Sequence, residues 1–285
     1  MYAEGKSKKE LGLIEGKALR DALDGLKMPE ERPAKLNKSQ KGFQRVLGCI
    51  KYPESRVLMR YTKATHALSC VMANPPKEGE LCARSVLADM YDNRSEGIIF
   101  KRGEGSHRER MAGGGIEAKF KMEDGAPAEP EGLADSTHSL TDRSVYTFAI
   151  TYAGAAVWHQ LKSIRMHVAS STETEAIGTA KCGEAASHMI EIMRGYGEPM
   201  NAAMFIATDN KANALIGSGR AMPARLKHCM RRYSIFLEQV AAGEVELGHV
   251  PDVENPVDFM TKWVSLRKLR QSLHYLSGGG AGAPK

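Results

Sequence analysis

Apolar positions along the chain fall into two blocks separated by a polar, glycine-rich gap. In the first block Phe43, Val46, Leu47 and Ile50 recur at i, i+3, i+4 and i+7, the spacing of one helix face. Leu81, Val86, Leu87 and Met90 predict a second helix after the Asn74–Pro75–Pro76 break, and Ile98–Ile99–Phe100 reads as a short closing strand. The second block alternates instead. Tyr146, Phe148, Ile150 and Tyr152 interleave with smaller residues, as on a half-buried strand. A turn at Ala153–Gly154 leads to a strand over Ala156–Leu161, and a further strand carries Ile164, Met166 and Val168 on one face. Ser170–Ser171–Thr172 offers N-caps to a long helix over 173–194 that Gly195 and Gly197 end. Ala202–Thr208 suits a buried strand. Leu226, Met230, Tyr233, Leu237 and Val240 step along another helix that stops at Gly243, and Val245–Val250 is a strand. Asn255 as N-cap and Pro256 as first helical residue open a terminal helix carrying Trp263, Leu266 and Leu269. Three strands, helix, strand, helices, strand, helix predicts an α/β domain with a mixed sheet.

Around these blocks the organisation follows. Residues 1–41 are rich in Lys, Glu and Pro and read as a loosely ordered lead-in, with a short helix around Gly16–Leu26. Residues 42–100 form a helical segment, 101–130 a Gly/Pro-rich linker, 131–277 the α/β domain and 278–285 a flexible tail. Hydrophobic residues make up 42% and charged ones 26% of the 285, ordinary globular usage. No apolar run approaches the roughly 18–20 residues needed to cross a bilayer, and the polar start does not resemble a secretory signal. Five scattered cysteines, never in a CxxC pair, argue against a disulfide scaffold or zinc knuckle and point to a reducing, cytoplasmic setting. A net charge of +6 permits a polyanionic partner without demanding one.

Four carboxylates occupy positions from which side chains converge at the edge of such a sheet. Asp135 lies just before the hairpins on a first strand, Glu175 in the first turn of the long helix, Asp209 at the end of Ala202–Thr208, and Asp258 at the start of the last helix. Clustered carboxylates are costly to ionise unless a cation neutralises them, and all-oxygen ligands favour Mg²⁺ or Mn²⁺. Each also has a plainer explanation. The helix macrodipole alone favours Glu175 and Asp258, Asp135 suits a turn, and Asp209 suits a helix N-cap.

Read with their neighbours, these acids lie in segments that resemble the ribonuclease H domain of copia-type LTR retrotransposon polyproteins. The resemblance runs from about Gln40 to Ser277. It is carried by Asp142-Arg-Ser-Val-Tyr-Thr-Phe-Ala-Ile, Ala156-Val-Trp-His-Gln-Leu-Lys, Ser170-Ser-Thr-Glu-Thr-Glu-Ala, Asp209-Asn-Lys-Ala-Asn-Ala and Arg225-Leu-Lys-His-Cys-Met-Arg-Arg-Tyr. Gly243-Glu-Val-Glu-Leu-Gly-His-Val-Pro and Glu254-Asn-Pro-Val-Asp-Phe-Met-Thr-Lys complete it, in the family's order. Phe43–Phe100 is similar to the connection that precedes this domain in a reverse transcriptase, while Tyr-x-Asp-Asp, the polymerase signature, occurs nowhere. Two positions depart from the family: its doubled first-strand acid is Ala134-Asp135-Ser136, and the Tyr after its helix acid is Ala176.

The resemblance implies a ribonuclease-H-like mixed five-stranded sheet flanked by helices. It implies hydrolysis of the RNA strand of an RNA–DNA hybrid with two Mg²⁺ ions (or Mn²⁺) held by Asp135, Glu175, Asp209 and Asp258. It makes Glu175 rather than Glu173 the helix ligand. His249 falls near the mobile histidine of cellular ribonucleases H, and a surface histidine at a strand end explains it equally well. Arg220, Arg225, Lys227, Arg231 and Arg232, with Lys262 on the last helix, form either a phosphate-tracking surface or a solvated helix face. The polymerase part of a reverse transcriptase is a further implied partner. A repurposed fragment that binds nucleic acid without cutting, and a transposase or integrase on the same fold, remain alternatives.

Overall fold

The structure, a computed structural model, describes residues 7–31, 33–100, 109–110, 118–119, 126, 128–139, 143–198, 203–218 and 230–279. Of these, 109–110, 118–119 and 230–232 are described by their backbone alone. The chain divides into two compact units, Met1–Gly97 and Ile98–Lys285.

The first unit is helical: α1 (Gly16–Asp24), α2 (Lys38–Arg56), α3 (Thr62–Cys70) and α4 (Gly79–Asp92), with a 3₁₀ turn at Met59–Tyr61. A capping box starts α2, because Asn37 accepts from the Gln40 N–H at 2.9 Å and Gln40 accepts from the Asn37 N–H at 3.0 Å. Phe43, Leu47 and Ile50 are buried along one face of α2, which packs on α3 and α4. The predicted periodicity is therefore the core stripe.

Two expectations fail in this region. Residues 7–31 are not a loose lead-in. Lys8 pairs with Glu15, Asp89 and Asp92 at 3.0, 3.4 and 2.7 Å, the Ile14 N–H reaches Ser85 Oγ at 3.1 Å, and Leu23 of α1 is buried. The short helix read around Gly16–Leu26 forms as α1, and the ion pairs that hold the segment leave no mark in the apolar pattern. Ile98–Phe100 is not a strand; it belongs to the second unit, where the Ile99 N–H donates to the Ser277 carbonyl at 2.8 Å.

The second unit begins with β1 (Glu109–Arg110) paired antiparallel to β2 (Ala118–Lys119), two short strands within the span read as linker. Its main body is the expected mixed five-stranded sheet flanked by helices. The strands are β3 (Glu131–Thr137), β4 (Val145–Tyr152), β5 (Ala155–Ser163), β6 (Met204–Thr208) and β7 (Val245–His249), ordered β5-β4-β3-β6-β7. The β3–β4 and β4–β5 pairs are antiparallel; β6 lies parallel to both β3 and β7. Helices α5 (Ser171–Gly195), α6 (Lys211–Gly217) and α7 (Met230–Ala241) follow in the order read from the pattern.

The period of two along the strands separates the sheet faces. Ala134, Phe148, Ile150, Met204, Ile206, Val245 and Leu247 join Ile177, Cys182, Ala186 and Ile190 of α5 and Phe236 of α7 in one core. Residues of the other parity look toward the C-terminal helices, where Thr147 Oγ1 contacts Met260 Sδ.

Two further predictions need correcting here. The strand predicted over 164–168 does not form, and β5 ends at Ser163. Ile164 is buried and its N–H donates to the Ser144 carbonyl at 2.7 Å, so its apolar side chain reflects docking rather than strand pairing. The single terminal helix is two: α8 (Asp258–Thr261) and α9 (Leu266–Leu276), the latter capped by Ser265 accepting from the Lys268 N–H at 3.2 Å. Asn255 is not the N-cap of either helix; it closes a 3₁₀ turn at Asp252–Glu254. Fully buried, it donates to the Ala134 carbonyl of β3 at 3.2 Å and accepts from the Val257 N–H at 3.3 Å, tying the approach to α8 onto the sheet. Among the described residues no helix is long and apolar enough to cross a membrane.

Candidate active site

Parallel pairing of β3 with β6 sets Ala134 opposite Thr208, so the next residue of each, Asp135 and Asp209, stands at the same level where β6 ends. Strand ends of this kind are where α/β sheets place polar side chains. Asp209 is not the cap of the helix that follows. Asn210 caps α6, accepting from the Asn213 N–H at 2.9 Å, which leaves the Asp209 carboxylate available. Asp135 lies within a strand rather than a turn and is 1% exposed.

Glu175 comes to the same place from α5. Ser170 Oγ accepts from the Glu173 N–H at 3.2 Å, and Glu173 Oε2 accepts from the Ala169 N–H at 2.7 Å, which fixes the helix start. Glu173 is therefore engaged in capping, and Glu175, 8% exposed, is the acid that faces the strands. One ligand oxygen each from Asp135, Glu175 and Asp209 lies within 4.8 Å of the others.

Such a group is electrostatically expensive. Two like charges about 4 Å apart repel by roughly 4 kcal/mol at an effective dielectric constant near 20. Burial, reinforced by the Asp135 and Asp209 charges, pushes the Glu175 carboxyl up to about 9. Burial also raises the Asp135 and Asp209 carboxyls above the ordinary aspartate range, with the Asp209 charge adding to the effect on Asp135. Asp135 Oδ1 and Glu175 Oε2 are buried with no hydrogen-bond partner among the described residues. Buried polar atoms are nearly always paired, so these two oxygens mark a place for a partner of opposite charge. An all-oxygen donor set fits a hard divalent cation.

Asp258 stands apart from this trio. It is the first residue of α8 and 4% exposed, and its oxygens face two lysines, Lys262 Nζ at 2.7 Å and Lys268 Nζ at 2.5 Å. Thr261, one residue before Lys262, donates to Asp135 Oδ2 at 2.5 Å. Lys262 is thus turned partly toward the acids, with about half of its side chain still exposed. His249 ends β7 opposite Thr208, one position from Asp209, and is half-buried. Arg220, Arg225 and Lys227 lie outside the described residues; Arg231 and Arg232 belong to the first turn of α7, described by backbone alone.

Thr261 and Lys268 were not singled out from the sequence as parts of the site. The signal for Thr261 was present in Asp258-Phe-Met-Thr-Lys, since positions i+3 and i+4 from an acid share its helix face. Lys268 lies on a different helix, and its approach to Asp258 depends on the bend at 262–265.

Neither a family model nor a curated protein sequence matches the chain. Similar solved structures include the N-terminal RNase H domain of a Mycobacterium tuberculosis protein, determined as a fusion with maltose binding protein. It is 13% identical over 45% of this chain and 86% of that one, with a TM-score of 0.35. RNase H1 of the halophilic archaeon Halobacterium salinarum NRC-1 is 14% identical over 44% and 88%, with a TM-score of 0.35. The foamy viral protease-reverse transcriptase in complex with an RNA/DNA hybrid is 10% identical over 74% of this chain and 27% of its own, at 0.33. At these scores it is the strand order and register of the sheet that define the fold.

Proposed function

We propose that the chain is a divalent-metal-dependent nuclease that hydrolyses the RNA strand of RNA–DNA hybrids. The observation that carries this reading is the convergence of Asp135, Glu175 and Asp209, with orphaned oxygens on two of them. The order of the motifs around these acids, similar to copia-type ribonuclease H, supports the choice of reaction and a retrotransposon polyprotein as the source of the chain. In that setting residues 42–100 would correspond to the reverse-transcriptase connection, and polymerase sequences would be its partner.

Asp135, Glu175 and Asp209 would hold the metal, Mg²⁺ or Mn²⁺ by the hardness of the donor set. When bound, such an ion supplies an activated water and stabilises charge on the leaving oxygen. The protein's own contribution is positional. β3 and β6 fix two aspartates at one level, and α5 brings its glutamate to them from a capped first turn. His249, which pairs with Thr208 at the end of β7, would move a proton to or from the reacting oxygens. Selectivity for RNA would come from contacts with 2′-hydroxyls across the minor groove of the hybrid, which DNA lacks. The basic run Arg220–Arg232 would track phosphates without reading bases.

The test is a nuclease panel on the full chain with Mg²⁺ or Mn²⁺. Cleavage of the RNA strand of a hybrid, with single-stranded RNA and duplex DNA left intact, is the expected result. Strand transfer into duplex DNA without hybrid cleavage would assign the fold to integrase-type chemistry instead. A folded protein that binds hybrid and cuts nothing in either ion would contradict the nuclease reading.

A further inference from the structure

The lysines around Asp258 bear on how many metal ions this site takes. Asp258 is nearly inaccessible, and each of its oxygens faces an ammonium, Lys262 at 2.7 Å from Oδ1 and Lys268 at 2.5 Å from Oδ2. The two lysines arrive from different directions. Lys262 reaches back one turn from the end of α8; Lys268 comes from the first turn of α9 and is anchored again on the Asp252 carbonyl at 2.7 Å. Asp252 Oδ1 lies 3.5 Å from Lys262 Nζ. The pair of cations is therefore built in from both sides of the α8–α9 bend.

The α8 turn is also fastened to the carboxylate trio. Thr261 Oγ1 donates to Asp135 Oδ2 at 2.5 Å, and the next residue is Lys262. The Lys262 ammonium thus pairs with Asp258 within electrostatic reach of Asp135. For Asp258 to ligate a divalent ion as well, that ion would have to sit beside two ammonium groups, an arrangement of like charges that both Coulomb repulsion and burial disfavour.

We propose that Lys262 is a resident cation of this site. Held by Asp258 and backed by Lys268, it stands where a second metal ion would otherwise be needed, and Asp135, Glu175 and Asp209 bind a single divalent ion. An ammonium has three donors. With one on Asp258 and one toward Asp252, the third remains for a phosphate oxygen of the bound strand, so Lys262 both neutralises the site and meets the substrate. The proposal rests on the reading of the trio as a metal site.

The test is a direct count of bound Mn²⁺ per chain, by titration calorimetry and by the loss of the free-ion paramagnetic resonance signal. The full chain and its variants are compared, with thermal melting to confirm folding. One ion is expected for the parent and for Lys262→Arg. Two are expected for Lys262→Met combined with Lys268→Met, falling back to one when Asp258→Asn is added. Two ions in the parent would overturn the proposal, as would a folded double-lysine variant that still binds one. If the parent binds none, or Asp209→Asn binds as the parent does, the metal reading of the trio fails and the proposal with it. Two ions in the parent would leave that reading intact, so the two failures are distinguishable.

Discussion

Asn210 relieves Asp209 of the structural work that its position invites. It caps α6, and Asp209 is left with its carboxylate beside Asp135 and Glu175. We predict that Asp209→Asn abolishes RNA cleavage and leaves hybrid binding normal or tighter, because one metal-binding charge is lost while carboxylate–phosphate repulsion is relieved. Filter binding beside a cleavage assay separates the two effects; equal loss of both would make Asp209 a folding residue. At His249 the expectation is milder. His249→Ala slows cleavage by no more than roughly 10²–10⁴-fold, the range of general acid–base help, with metal dependence unchanged. A strong shift in metal dependence would make it a ligand. At this scale the sequence was informative about three of four acids. The fourth, Asp258, has Lys262 one turn on in the sequence, but its second lysine was not legible, because Lys268 reaches it only through the three-dimensional bend between α8 and α9.

At the scale of elements, the α5 start and the β3–β6 register do the placing, and the segment from Asn255 to Ser265 sets the back of the site. Strand alternation at 146–152 and the Ser170 cap were readable because local chemistry and tertiary role agree. The terminal helix was misread because Asn255-Pro256 carries a helix-start signal whose side chain is used instead to stitch β3 to α8. Ile164, Met166 and Val168 misled for a similar reason: their alternation continues past the point where β5 loses its partner strand. We expect Asn255→Ala to lower stability by about 1–3 kcal/mol, the cost of leaving the buried Ala134 carbonyl and Val257 N–H without that partner. Denaturant unfolding of the full chain checks this; a change within error would mean that the stitch is dispensable.

For the whole molecule, the raised carboxyl groups couple stability to pH and, on the proposed reading of the trio, to metal. Burial and the neighbouring aspartates push Glu175 from an ordinary 4.5 up to about 9, and Asp135 and Asp209 shift in the same direction. Between those values the folded ion-free protein binds more protons than the unfolded chain. Its stability from these groups is therefore full below the ordinary carboxyl range and falls as pH rises toward about 9. A divalent ion displaces the same protons, so its affinity rises over that window. The gap in melting temperature between Mn²⁺-loaded and chelator-treated protein should widen with pH, and a gap independent of pH would contradict the linkage. None of this was readable from the motifs, since it depends on how deeply the fold buries acids that the sequence places on separate elements.

The most direct measurement of the central claim compares Glu175→Gln with Glu173→Gln for cleavage of one labelled RNA–DNA hybrid in Mg²⁺. The two acids are two residues apart on α5 and similarly buried, yet one joins Asp135 and Asp209 and the other caps the helix start. Loss of cleavage in Glu175→Gln with near-parent activity in Glu173→Gln is the predicted result. Cleavage surviving in Glu175→Gln, or lost only in Glu173→Gln, would contradict the proposal that the carboxylate trio is the site of cleavage.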